Sequence, residues 1–135
     1  MIRAICPRWA MVVLLALAPL LQAQTGHPAK GTWLGHWGPD GQTQRRVVIL
    51  LDWRDRALSG TLNPGPRAAK ISKAEIDYSN WMMRIETELA LRPGEAAQRW
   101  VAVGKLENLG SWTNRRYSGT YTYGGETGSF TATLN

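Results

Sequence analysis

Cysteine is almost missing from this chain: among 135 residues there is one, Cys6. No internal disulfide can form, so burial alone has to hold the fold. Histidine is nearly as scarce, with only His27 and His36. Zinc sites ordinarily draw three or four histidine, cysteine or carboxylate ligands together, and no such spacing is present, so the reading includes no metal and no cofactor. Nucleophilic catalysis fares no better, because no histidine stands at a telling interval from both a serine and a carboxylate. After Lys30 no segment longer than about ten residues shows helical spacing of apolar positions, which excludes helix bundles and alternating strand–helix folds there. Phenylalanine occurs once, as Phe130, against seven tryptophans and four tyrosines.

The N-terminal stretch has its own character. Arg3 and Arg8 precede an apolar run from Trp9 to Leu21, followed by LQAQ with the small Ala23 at a cleavage point. This is the layout of a secretory signal peptide over residues 1–23. The apolar run falls short of the ~20 residues needed to cross a bilayer as a helix, so no stable membrane anchor is expected. Cys6 precedes the run, whereas a lipid-modified cysteine would follow it. The expected destination is the periplasm or the extracellular space. Residues 24–30 read as a flexible leader and 31–135 as one domain.

Removal of the signal takes away two of the 16 basic residues, leaving 14 against 10 acidic ones and a balance of +4. The arginines and lysines are scattered over many segments. Neither this mild excess nor its distribution points to nucleic acid.

What the chain has in quantity is short alternation separated by turn residues. Eight strands are predicted at 31–38, 44–53, 57–63, 70–78, 81–91, 97–107, 115–123 and 126–134, linked by PDG, RDR, NPGP, YSN, RPGE, NLGS and GG. Links this short predict antiparallel neighbours. In the fifth strand Trp81, Met83, Ile85, Thr87 and Leu89 form one apolar face, and Met82, Arg84, Glu86 and Glu88 the other. A sheet dry on one side needs a cover, and with no helix to supply it the meander has to close on itself or pair as two sheets. The expected fold is all-β, an eight-stranded antiparallel up-and-down barrel.

An internal echo supports equivalent roles for two strands. Leu58-Ser-Gly-Thr-Leu-Asn-Pro-Gly65 parallels Tyr117-Ser-Gly-Thr-Tyr-Thr-Tyr-Gly124. Period-two geometry puts Leu58, Gly60 and Leu62 on one face, and Tyr117, Gly119, Tyr121 and Tyr123 on the corresponding one. A glycine between large residues lets a strand bend at a barrel corner.

The stretch GTWLGHWG, residues 31–38, places Trp33, Gly35 and Trp37 on one face. Gly31, Trp33 and Gly35 are read as the floor of the barrel, with Trp37 nearer a rim. Tryptophan and tyrosine carry polar tips that need partners when buried, so an interior rich in them suggests a site meeting both polar and apolar atoms. The candidate ligand-binding residues are Trp37, Trp100, Tyr117 and Tyr121, and no catalytic residue is assigned. Asp52, between Leu51 and Trp53, is the carboxylate whose burial would matter.

Gly31-Thr-Trp33 at the head of a short-looped meander, together with LSGTLNPG and YSGTYTYGG, resembles the lipocalin-like (calycin) barrels, here of the small secreted bacterial type. The resemblance spans about residues 31–134 as a pattern. It implies a barrel that takes small, mostly apolar molecules in its mouth. The lipocalin arginine that packs over the first-strand tryptophan has its nearest counterpart in Arg115 or Arg116. GTW and the abundant tryptophan also resemble the avidin-like biotin binders, but Gly35 stands where those chains have asparagine and Leu62 where they have tyrosine.

Three functional expectations follow. The first is an exported, non-catalytic module holding a small apolar or aromatic ligand. The second is a surface-interaction domain that binds glycan or protein through exposed aromatics in a row, with Trp53, Trp81 or Trp112 among them. The third is a small barrel enzyme of isomerase or cyclase type, with Tyr121 and Asp52 as its polar groups.

Overall fold

The computed structural model describes residues 26–135; the signal-peptide reading falls on residues outside these. Eight strands follow one another: β1 Gly31–Gly38, β2 Arg45–Arg54, β3 Ala57–Leu62, β4 Ala69–Asp77, β5 Met82–Leu89, β6 Gln98–Glu107, β7 Arg116–Tyr123 and β8 Glu126–Leu134. Each pairs antiparallel with its neighbour, and β1 pairs with β8, so the meander closes into a barrel. The architecture is consistent with a calycin-like fold. Closure leaves the sheet without its two terminal edges.

Inward residues alternate along every strand. Trp33 and Trp37 of β1, Ile49 of β2, Leu62 of β3, Met83 and Ile85 of β5, Trp100 and Ala102 of β6, Tyr117 and Tyr121 of β7 and Phe130 of β8 form one core. The echo holds in space, since Leu62, Tyr117 and Tyr121 are all buried. Gly60 and Gly119 play the same part: a Cβ at either would lie about 2 Å from a carbonyl oxygen of the preceding strand, 1.9 Å from Leu50 O and 2.1 Å from Val103 O. The strands press together at these corners because no side chain separates them.

Two features of β5 differ from expectation. Trp81 stands before the strand, in the left-handed region with φ 59°, a conformation that is rare for a bulky residue. It still packs against the core. Glu86, expected on a wet face, is 4% exposed. Arg84 reaches it at 2.5 Å and Arg99 also hydrogen-bonds it, so two long side chains fold over the carboxylate. The Arg84 hydrogen bond holds its pKa below the usual carboxylate value.

The two ends of the barrel are built differently. At the base, residues 26–30 cross the opening, with Ala29 fully buried. Trp33 Nε1 donates to Ala29 O at 2.9 Å, and Arg115 donates to Pro28 O at 2.8 Å and Leu109 O at 2.7 Å. The cation–π contact of Arg115 is with Trp112, at 4.2 Å. His27 stacks on Trp53 with centroids 4.2 Å apart. Its Nδ1 accepts from Ala29 N–H at 3.1 Å, so in the neutral ring Nε2 carries the hydrogen facing Tyr78 Oη at 2.8 Å.

Burial lowers the His27 pKa below its usual 6.5. A depressed histidine contributes stability that is fully present above the unfolded pKa and is lost as pH falls through 6.5 toward the folded value. Melting temperature is therefore expected to drop between pH 7.5 and 5.5. His27→Asn, whose side-chain oxygen can accept the same Ala29 N–H without titrating, should flatten that drop. Paired thermal melts at the two pH values measure it, and equal slopes for both proteins would refute the assignment.

Candidate functional site

The opposite end is the mouth, where β1, β3, β5 and β7 finish and β2, β4, β6 and β8 begin. Here an aromatic cluster forms around Trp37. Its ring meets Trp100 at 5.9 Å, Tyr121 at 4.8 Å and Tyr123 at 5.4 Å between centroids, all edge to face. These are favourable aromatic geometries, each worth about 0.5–1.5 kcal/mol beyond simple burial.

A polar lid covers the cluster. Arg45 is the first residue of β2 and Glu126 the first of β8, and both share the inward parity of the core residues on their strands. The Arg45 guanidinium lies over Trp37, 4.5 Å from the ring centroid. It donates to both oxygens of Glu126, at 2.8 and 3.2 Å. Tyr121 Oη donates to Glu126 Oε2 at 2.5 Å. Hydrogen bonding from Arg45 and then Tyr121 lowers the Glu126 pKa, while desolvation and Glu126 itself push Tyr121 up to about 12. Near neutral pH the lid is thus a carboxylate held by a cation and a neutral phenol.

Beneath the lid lies the unusual group of the site. Trp100 has 0% exposure, and among the described residues its Nε1 has no hydrogen-bond partner. Leaving a buried donor unsatisfied costs about 1–3 kcal/mol.

Of the four candidate ligand residues, Trp37, Trp100 and Tyr121 come together. Tyr117 lies a layer lower, edge to face with Phe130 at 4.7 Å and Trp33 at 6.3 Å. Its hydroxyl donates to Met83 O at 3.0 Å, and burial raises its pKa. Trp33 is fully buried near the base, Gly35 sits between the two β1 tryptophans, and Gly31 opens the strand. Tyr123, Arg45 and Glu126 were not among the candidates. Tyr123 has the parity of Tyr121 and could have been added from the sequence. Arg45 and Glu126 lie 81 positions apart and meet only because β1 bridges β2 and β8.

Asp52 is far from this cluster, on the outer side near the base, with its side chain 42% exposed and paired to Arg54 at 3.2 Å. The imagined pairing of Asp52 with Tyr121 is therefore not made. Among the described residues no group of three histidine, cysteine or carboxylate side chains is placed to hold a metal.

At the base, Trp112 is 66% exposed, Tyr78 is exposed, and Trp53 and Trp81 are half-buried. The exposed row expected of these tryptophans is not formed, since Trp112 alone of the three is exposed. Trp53, His27, Tyr78 and Trp81 touch in sequence, while the outermost carbon of the Trp112 ring lies 4.0 Å from the Cβ position of Gly26.

No protein-family model, no curated protein and no solved structure matches this chain.

Proposed function

We propose that this is an exported, non-catalytic, lipocalin-like binding barrel that takes a small aromatic or largely apolar ligand bearing one hydrogen-bond acceptor. The site is the Trp37, Trp100, Tyr121 and Tyr123 cluster beneath Arg45 and Glu126. The observation that carries the reading is the orphaned Trp100 Nε1. A buried, unsatisfied donor on an indole packed edge to face against Trp37 is a cost to the free protein and a ready partner for a ligand oxygen. Entry requires the Arg45–Glu126 pair to part and the Trp37 ring to turn aside. Both groups of the pair are 30% exposed, so their separation is cheap compared with opening a buried ion pair.

Tryptophan fluorescence titrated with indole, an aromatic ketone, a naphthalene sulfonate dye and a long-chain fatty acid is expected to respond to the aromatic ketone most strongly. Native mass spectrometry of the exported protein provides an independent search for a co-purifying small molecule. Silence in both experiments would overturn the reading.

A second reading is favoured by the base-end row of Trp53, His27, Tyr78 and Trp81. The strained Trp81 backbone lies in this row, and strain of this kind clusters at active sites, ligand clamps and switch regions. On this reading the base is a contact surface for glycan or protein.

A further inference from the structure

The barrel has one poorly sewn seam. β3 and β4 share two registered pairs, Thr61 with Lys70 and Leu62 with Ala69, although β3 begins at Ala57 and β4 runs to Asp77. The cause is local. Between Ile71 and Lys73 the register of β4 against β5 shifts by one residue, and Ser72 at this bulge donates its hydroxyl to Glu86 O at 3.0 Å. A bulge bends its strand, and β4 leaves β3 one residue after its last pair. Residues 57–60 and 71–77 thus present two facing strand edges whose main-chain groups lack a ladder partner on that side among the described residues.

Between them lies a groove of about 570 Å³ bordered by Trp53, Leu58, Ala74, Ile76 and Tyr78, with Arg56, Lys73 and Glu75 on its polar side. Leu58, Ala74 and Ile76 are half-buried here, whereas their inward counterparts in the rest of the barrel are covered.

We propose that this seam accepts one extended peptide strand from a partner, with apolar residues alternating with acidic ones. It rests on the reading of the base end as a contact surface and is independent of the mouth. Two facing edges offer hydrogen bonds to both sides of an inserted strand, the pairing that gives strand-addition complexes their affinity. Period-two alternation turns every other side chain inward, onto Leu58, Ala74 and Ile76. The intervening side chains face Arg56 and the Lys73–Glu75 pair, whose Nζ and Oε1 lie 3.9 Å apart; Arg56 leaves the lining with one positive charge over, so acidic residues are favoured there. A second copy of this chain is a poor occupant, because each of its strands is already paired on both sides except at its own seam, and two seams would bring like charges together.

The test uses an acetylated heptapeptide of alternating valine and glutamate, and the same peptide N-methylated at alternate residues. The whole exported chain is titrated with each while amide hydrogen exchange is followed by NMR. Slowed exchange within residues 57–60 and 71–77, and at least a tenfold loss of affinity on N-methylation, are expected, since several main-chain bonds go at once. The surface double variant Arg56→Glu/Lys73→Glu should keep its fold and weaken the unmodified peptide at least about fivefold. Equal binding of the N-methylated peptide would overturn strand addition while leaving the contact surface standing. Binding of neither peptide would remove the base end as a peptide-contact surface altogether.

Discussion

Gly35→Ala is expected to destabilise the barrel by about 3 kcal/mol or more, at or above the upper end of typical overpacking costs. The added Cβ would sit 1.9 Å from Thr131 O, 2.6 Å from Ala132 Cα and 2.8 Å from Ala132 Cβ. These are mostly backbone atoms, which cannot turn aside as a side-chain tip can. Gly35 faces Ala132 in the β1–β8 pairing, the ladder that closes the meander, flanked by Trp33 with Leu134 and Trp37 with Phe130. Relief requires β1 and β8 to part, and that movement carries Trp33 away from Ala29 and Trp37 away from its cluster. At roughly 5 °C per kcal/mol for a domain of this size, the melting temperature should fall by about 15 °C. Gly41→Ala is the control, because among the described residues nothing lies within 4 Å of its Cβ position and its φ is not positive. It should change stability by less than about 0.5 kcal/mol. Urea unfolding of the two variants beside the parent measures both, and equal midpoints would show that the closing ladder tolerates a side chain there.

The eight strands were legible because seven hold period two over at least six residues, the eighth, β4, holds it on either side of its bulge, and each ends in turn chemistry; the predicted limits fall within two residues of those observed. The inward tyrosines of β7 were legible from the echo with Leu58, Gly60 and Leu62. Asp55 and Arg56 make the β2–β3 turn with φ of 51° and 64°, as a two-residue hairpin of the twist-compatible kind requires. Contacts produced by closure itself were not legible. The Arg45–Glu126 lid joins the starts of β2 and β8, and no spacing rule links positions on opposite sides of β1. Glu86 looked solvated because alternation reports only which face a residue takes, and the arms of Arg84 and Arg99 that cover it come from neighbouring positions and strands. Tyr117 was grouped with Tyr121 by parity, but four residues along a strand is about 13 Å, enough to put it in another layer. The seam was hidden for a different reason: the bulge at Ser72 moves the inward phase of β4 from Ala69 and Ile71 to Ala74 and Ile76, but alternation within one strand does not report how many pairs it makes with its neighbour.

The same substitution at two buried tryptophans should give opposite balances of stability and binding. Trp33→Phe removes a donor that is already used, leaving Ala29 O without its indole partner in a fully buried setting, and it also shrinks the ring. A loss of about 2–4 kcal/mol is expected from the two effects together. Trp100→Phe makes a similar void but also removes a donor with no partner. Eliminating that unsatisfied group returns about 1–3 kcal/mol, which offsets most of the lost packing, so stability should stay within about 1 kcal/mol of the parent. Binding should move the other way. If Trp100 Nε1 is the donor that meets a ligand acceptor, Trp100→Phe should weaken an aromatic ketone at least about tenfold, equivalent to one well-made buried hydrogen bond. An aromatic hydrocarbon of the same shape, lacking the oxygen, should bind the two proteins alike. Denaturant midpoints give the first half of this comparison and fluorescence titration the second. A Trp100→Phe protein that loses as much stability as Trp33→Phe would show that the indole N–H is satisfied in the free protein. One that keeps its full affinity for the ketone would move the acceptor contact away from Trp100. Stability without binding is the combination specific to a donor held in reserve, because a merely structural tryptophan would lose both or neither.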